Sequence, residues 1–300
     1  WRDEDEELTE NGAEAQAYLL GDYPIECKNA SFETVEELLL VYGADWDVLY
    51  GEDTNQNGVL DPNEIDGDET DPPDDGDGVL DPGLLSYETV HTREPNVQDD
   101  GTARVSISEG GETLNSLLIE TFGEERGNEI SQRAQSGSQG EDSLVRFFIQ
   151  TGMTEEEFDQ VAHALTASEE TFQEGLVNVN TADAAVLACL PGLDEELAEQ
   201  LVLHRKTLSD PPASEAWIVE VIGEEAAREV GPYVTARSYQ FTADVAAVGR
   251  HGRGYRRSRF IIDSAADEAM VVYRKDLHGL GWALGLDLYS TLTEQEEAGL

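Results

Sequence analysis

The chain has 300 residues and sets 65 aspartates and glutamates against 18 lysines and arginines, a formal net charge of −47. Such a surplus repels polyanions, which weighs against nucleic-acid binding, and no run of 18 apolar residues is present to span a bilayer. A hydrophobic content of 39% still allows two or three small domains with cores of their own. Two causes account for the acidity: Asp is concentrated between residues 53 and 81, and Glu-rich helices elsewhere have the acidic surfaces that a high-salt habitat favours. The chain opens Trp1-Arg2-Asp3 with no initiator methionine and no signal peptide, as a fragment or mature domain would. Cys27 and Cys189 form no CxxC pattern; well-separated cysteines are more often buried thiols than ligands, and spacing does not decide whether they pair.

The first stretch, 1–20, ends in a short helix after Asn11-Gly12, and Pro24 closes it. Residues 31–43 predict a helix with Ser31 as N-cap, Val35, Leu38, Leu39 and Tyr42 on its buried face, and Gly43 as terminator. A further short helix, Trp46 to Tyr50, leads into an Asp-rich segment.

In that segment Asp53, Asn55, Asn57, Asp61 and Glu64 stand at positions 1, 3, 5, 9 and 12 of a loop, with Gly58 at 6 and the Val59 carbonyl at 7. This is the register of an EF-hand calcium loop, in which a curled backbone supplies six to eight hard oxygens and the last Glu binds through both of its own. The bland alternative is a solvated Asp/Asn turn. Pro62 speaks against a regular exiting helix. A second loop places Asp75, Asp77, the Val79 carbonyl and Asp81 in the same register about Gly78, but Pro73 and Leu84 occupy positions 1 and 12, so Asp71 or Asp74 would have to complete the shell. One calcium ion is expected at the first loop and a second is possible at the other. Residues 87–92 then predict a strand, and Asp99-Asp100-Gly101 a turn.

Residues 177–205 predict two short helices about a tight hairpin, a helix-hairpin-helix: Asn180 or Thr181 caps the first, Ala185, Val186 and Cys189 share a face, Pro191-Gly192 breaks it, and Leu197, Leu201 and His204 follow, with Ala198 small enough for close helix contact. A shift of 72 residues sets Val105 under Val177, Leu114 under Val186, Ile130 under Val202 and Arg133 under Arg205, a loose match with Glu120 where Gly192 would be and Arg126 where Ala198 would be. The module is therefore read as duplicated. Such hairpins often present amides and Lys/Arg to phosphates, but here Asp194, Glu195 and Glu196 stand at that place, and DNA binding is rejected. A Gly/Ser/Gln linker is expected over 134–142, two short helices over 143–175 with a Thr154/Glu157 capping box, and a helix over 214–229 burying Trp217, Ile218, Val221 and Ile222.

From about Ser238 the pattern changes. Tyr239, Phe241, Ala243, Val245 and Ala247 alternate as a half-buried strand; strands over 256–263 and 270–276 complete an antiparallel meander, and residues 279–284 add a final strand or hairpin edge. Arg250, Arg253, Arg256, Arg257 and Arg259 crowd into this hairpin, either as a docking patch for an acidic partner or as cross-strand partners of the chain's own carboxylates. The five histidines show no HExxH spacing, and no GxSxG, P-loop or dinucleotide fingerprint occurs, so nothing supports an enzyme.

WRDEDEELTENGAEAQAYL at the start, Lys28-Asn29-Ala30-Ser31-Phe32, the Asp-rich loop, and above all Asn178-Val-Asn-Thr-Ala182 with Leu190-Pro-Gly192 together resemble the soluble part of the minor pseudopilin K family of type II secretion (general secretion pathway protein K, GspK). The resemblance implies an α+β fold. A mainly helical part, with duplicated helix-hairpin-helix (SAM-like) modules and an Asp-rich calcium loop, is followed by a small antiparallel β meander of pilin-like type. The expected segments are 1–103, 104–175, 176–237 and 238–300, residues 1–237 being an insertion into the pilin fold. It implies further a non-catalytic subunit that caps the periplasmic pseudopilus tip with minor pseudopilins of I and J type. The full protein would be anchored at the periplasmic face of the inner membrane by an N-terminal helix absent from this chain, as is the first pilin strand. A secreted or cell-surface calcium-binding adhesion module is the alternative reading, and a DNA-uptake protein a third.

Overall fold

Helices, strands of two or three residues and one sheet of longer strands alternate with turns in the computed structural model, which describes residues 1, 7, 12–21, 24–67, 69, 72–109, 111–136, 142–249, 254–266, 268–286 and 288. The chain divides into two units, one of Trp1–His91, Thr242–Ile261 and Val271–Leu300, the other of Thr92–Phe241 and Ile262–Met270. This division cuts across the four segments read from the sequence: the N-terminal segment shares its unit with most of the C-terminal sheet, and the helical stretches share the other. Among the described residues no helix is long and apolar enough to cross a membrane.

In the first unit, α1 (Ala15–Leu20) buries Tyr18, whose ring packs on Trp1 and Tyr42 and whose hydroxyl accepts the Tyr42 amide at 3.0 Å. The helix expected from Ser31 is a 3-10 stretch instead, Val35–Leu40, entered from an extended Thr34. Lys28 and the Glu33 amide both donate to Glu37 and keep that entry extended, so Val35, Leu38 and Leu39 are only half-buried and Tyr42 is exposed. In α2 (Trp46–Tyr50) the Asp45 carboxylate accepts the Val48 amide at 3.0 Å, and Leu49 and Tyr50 are buried. The helix ends at Gly51, where a Cβ would lie 2.1 Å from the Asp81 carbonyl; at Gly83 it would lie 2.5 Å from the Gly51 nitrogen. Both have positive φ, so this backbone crossing requires glycine twice.

The sheet runs β7 (Gln240–Val248), β8 (Tyr255–Asp263), β9 (Met270–Asp276) in that order, the antiparallel meander the alternation predicts. β7 is not half-buried, however: it is an edge strand, and Val245 and Val248 are exposed, whereas central β8 buries Arg257 and Ser258. Residues 279–284 form no strand; a 3-10 turn, His278–Leu280, follows β9. Nor do residues 87–92, where Thr89 Oγ1 accepts the His91 amide and draws the backbone into a turn.

The second unit opens with β1 (Arg93–Pro95), antiparallel to β4 (Phe172–Glu174). Two similar series of elements follow. The first runs from β2 (Val105–Ser106) through α3 (Gly111–Ser136), α4 (Leu144–Thr151), α5 (Glu155–Val161) and a 3-10 turn to β3 (Leu165–Thr166), which pairs back in parallel with β2. The second runs from β5 (Val177–Asn178) through α6 (Ala184–Ala188), α7 (Glu195–Thr207), α8 (Ile218–Val230) and a 3-10 turn to β6 (Val234–Thr235), parallel to β5. α3 is broken at Gly123, with φ +80, and Gly192 before α7 has φ +81. The turn glycine of the first series is therefore present, three residues beyond the Glu120 that an ungapped shift of 72 places there. The Thr154/Glu157 capping box is formed, and Asp183 rather than Asn180 or Thr181 caps α6. On α6 the buried residue is Leu187; Ala185 and Cys189 face outward, and both cysteines are free. α8 starts at Ile218, not 214, and buries Ile218 just after the buried Trp217, with Val221 and Ile222 half-buried.

Each series has its own apolar cluster, Leu118, Ile130, Phe147, Phe158 and Leu165 in the first, Leu187, Leu201, Ile218, Ala227 and Val230 in the second. Leu201 is fully buried and Leu203, on the same helix, is exposed. Leu201→Ala should cost about 2–5 kcal/mol in urea unfolding of this unit, and Leu203→Ala less than about 0.5 kcal/mol.

Candidate metal centre

Residues 53–64 curl through Gly58, at φ +67, and the short side chains of the loop satisfy its backbone. Asp53 accepts the amides of Asn57 at 2.9 Å and Gly58 at 3.0 Å, Asn55 Oδ1 accepts that of Asn57 at 3.0 Å, and Asn57 Oδ1 that of Val59 at 2.7 Å. Pro62 opens a single 3-10 turn, Pro62–Glu64, capped reciprocally: Asp61 accepts at the third position and Glu64 Oε2 takes the Asp61 amide at 2.8 Å. The other oxygens of Asp61 and Glu64 converge on amide hydrogens. Asn55 Nδ2 donates to Asp61 at 3.0 Å and Glu64 at 3.2 Å, and Asn57 Nδ2 to Asp61 at 2.9 Å.

Asp53, Asp61 and Glu64 are buried, Glu64 to 1% exposure. Burial, reinforced by the charges of Asp53, Asp61 and Glu52 and opposed by the Asp61 amide, pushes the Glu64 carboxyl up from 4.5 to about 7. Among the described residues no group of three or more His, Cys, Asp or Glu side chains is gathered that could hold a metal ion; in this arrangement asparagine amides bridge the acids. By composition the donors are six oxygen sources, the side chains of Asp53, Asn55, Asn57, Asp61 and Glu64 and the Val59 carbonyl, a hard set that suits calcium.

Arg257 of β8, 1% exposed, holds the loop from outside. Its guanidinium donates to the carbonyls of Asn55, at 2.8 Å, and Gln56, and to both carboxylate oxygens of Asp244, at 3.1 and 2.7 Å. Arg259 adds a bond to the Gln56 carbonyl at 3.3 Å. Of the five arginines of the supposed docking patch, Arg257 is thus buried and engaged within its own unit, Arg259 is partly so, Arg256 is exposed, and Arg250 and Arg253 lie outside the described residues. The loop is closed from the far end of the chain as well, where the Leu286 amide donates to Asp61 at 2.8 Å and Asn57 Nδ2 to the Trp282 carbonyl at 3.3 Å.

The second loop is more open. Asp75 accepts the Asp77 amide at 2.9 Å and Asp77 that of Val79 at 2.6 Å, but Asp75, Asp77, Val79 and Asp81 are all exposed. Asp75 and Asp81, but not Asp77 or Val79, border a cleft of about 640 Å3 reached also by Asp47, Leu84 and Tyr87. Asp74 accepts the Gly67 amide at 2.8 Å and joins the loop to the segment before it, while Asp71 is outside the described residues. Sequence reasoning missed Glu52, a buried acid whose amide donates to the Asp81 carbonyl at 2.7 Å and whose carboxylate accepts the Asp81 amide at 3.0 Å, tying the two loops together. The pair Gly51 and Gly83 was the available signal, since two glycines flanking acidic loops mark a close backbone approach.

Two outcomes are expected here. Arg257→Met leaves two loop carbonyls and Asp244 without their buried partner, which should destabilise the first unit by about 3 kcal/mol or more and speed amide exchange across 55–58 in hydrogen-exchange measurements. A carboxyl with a raised folded pKa favours folding in its protonated form, so Glu64 contributes stability below its ordinary pKa that is lost as pH rises through about 7. The melting temperature of calcium-depleted protein should therefore fall from about pH 5 to about pH 8, and Glu64→Gln should flatten that fall.

In the hairpin of 177–205, Asp194 caps α7 and the Glu229 side chain packs against Gly192, so a carboxylate stands close to the turn. No curated protein matches the chain. Two family matches do, both described as "Type II secretion system (T2SS), protein K": one covers residues 1–50, the approach to the first loop, and the other 177–214, the hairpin with its two helices. Over these two stretches the chain is similar to type II secretion system protein K, and the two matches support its identification with that family.

Proposed function

We propose that the chain acts in type II secretion as a non-catalytic minor pseudopilin of the pseudopilus tip, assembling with I- and J-type pseudopilins at the periplasmic face of the inner membrane, and that calcium braces it. Similarity to that family supports the secretion role. The calcium reading is carried by one observation: Asp53, Asp61 and Glu64 are buried in a loop whose oxygens follow the EF-hand register, with Glu64 raised to about 7 by its burial and by the neighbouring acids. Asp53, Asn55, Asn57, Asp61, Glu64 and the Val59 carbonyl would hold the ion. Asp75, Asp77, Asp81 and the Val79 carbonyl would hold a second, weaker one. The two series of elements in the second unit are proposed to be copies of one helix-hairpin-helix module, and β7–β9 a pilin-type sheet. The net charge and the Glu229 carboxylate beside Gly192 weigh against a nucleic-acid partner.

A ligand bound by the folded form alone stabilises it by about 2.7 kcal/mol at one hundred times its dissociation constant. Calcium should therefore raise the melting temperature of the first unit by several degrees, and Asp53→Asn combined with Glu64→Gln should abolish most of that rise. Identical melting with calcium and with excess chelator would remove calcium from the account. For the tip role, mixing the chain with soluble I- and J-type pseudopilins should give a single ternary species by light scattering; separate monomers at micromolar concentration would count against it.

A further inference from the structure

A second buried polar centre lies in the other unit, within Thr92–Phe241. Glu94 of β1 is buried and accepts from Arg104, from Arg237 Nη1 at 2.7 Å and from Thr235 Oγ1 at 2.7 Å. Arg237 Nη2 also donates to the Ala162 carbonyl at 2.8 Å, and Arg104 Nη2 to the Tyr239 hydroxyl at 3.1 Å. The end of the first helical series (Ala162), the end of the second (Thr235) and β1 are thus joined through two guanidinium groups and one carboxylate. Burial raises the Glu94 carboxyl, but Arg237 and Arg104 outweigh it and hold it below the usual range. A second acid, Glu215, is buried beside them.

Two observations are left over by this network. The Arg104 side chain is only 4% exposed, yet its Nε–H is buried with no acceptor among the described residues. A cavity of about 30 Å3 lies against the same group, bordered by Glu94, Arg104, Ser143, Glu215 and Thr235. A cavity needs only about 10–15 Å3 by this measure to take one water, and cavities that stay dry are lined by apolar groups.

We propose that this cavity is a binding site for one internal water molecule, which accepts from Arg104 Nε and donates to the carboxyl of Glu215. The wall selects the ligand. A metal cation is disfavoured by a guanidinium with its N–H unpaired, and an anion such as chloride cannot donate to the carboxyl groups of Glu94, Asp142 and Glu215, the three acids that border the space. Water does both, and it gives Nε, the one Arg104 nitrogen without a partner among the described residues, the acceptor that a buried charged group is costly to lack. The site makes the junction of the two helical series a hydrated one, with Glu215 tied to Arg104 through the solvent molecule.

A crystal structure of the whole chain at about 1.5 Å or better, with crystals also grown from bromide, tests the assignment. The expected result is a single density peak about 3 Å from Arg104 Nε, without bromide anomalous signal, retained in Glu215→Gln, whose amide still offers an oxygen. A bromide peak at that position, an empty cavity, or Arg104 Nε bonded directly to a protein acceptor would overturn it. In solution, oxygen-17 magnetic relaxation dispersion should count one fewer long-lived water in Ala167→Val, which adds bulk at the cavity wall, than in the unaltered chain; equal counts in a folded variant would also refute the site.

Discussion

Buried guanidinium groups organise this carboxylate-rich chain. With 18 basic residues among 65 acidic ones, a buried arginine is worth most where it meets carboxylates and backbone carbonyls together, since a planar fork of five donors leaves few of its own hydrogens unpaired. Arg257 does this in the first unit, between Asp244 and the carbonyls of Asn55 and Gln56. Arg237 does it in the second, between Glu94 and the carbonyl of Ala162. Burying an ion pair is costly in itself, and removing one member leaves the other without compensation. Both centres join segments far apart in sequence, so they specify which strands and loops belong together as much as they add stability.

The acidic loop shows the complementary case, a place where no guanidinium of the described residues reaches the acids. Arg257 binds the outer, carbonyl face of the loop, while Asp53, Asp61 and Glu64 turn inward and share only amide hydrogens. Amide donors carry only partial charge and do not offset the burial that raises the Glu64 carboxyl to about 7. A divalent ion with flexible coordination, as proposed here, would meet the same oxygens with full charge. The rigid backing provided by Arg257 and by the amide of Leu286 reduces the ordering that such an ion would otherwise have to impose.

The second unit solves a different problem, how to close short helices into a stable whole. Each helical series begins and ends on a two-residue strand, and the two strands pair in parallel, so each series is a closed loop with its own apolar cluster. Strands this short contribute little by themselves; their role is to bring the entry and exit of each series together. Broken helices at Gly123 and Gly223 then let successive helical segments fold back over the cluster.

Local chemistry was legible in the sequence where one short segment decides the outcome. The Thr154/Glu157 box, the helix at Trp46–Tyr50 and the break at Pro191-Gly192 rest on bonds or dihedral preferences within a few residues, and they have the expected local form; the β8 and β9 strands also lie where alternation sets them. Failures came where burial is decided by a distant neighbour. Alternation predicts a half-buried β7, but its position at the edge of the sheet leaves Val245 and Val248 exposed; a cluster of arginines reads equally as a docking patch or as partners of the chain's own carboxylates until Arg257 is seen to close on Asp244 and on a loop 201 residues away. Residue pattern and spacing determine which backbone turns and caps can form, because those depend on dihedral preference and short-range hydrogen bonds. Which charges are buried together, and hence that Glu64 and Glu94 meet such different fates, was decided only by the tertiary structure, since the energy of a charge depends on what surrounds it in space.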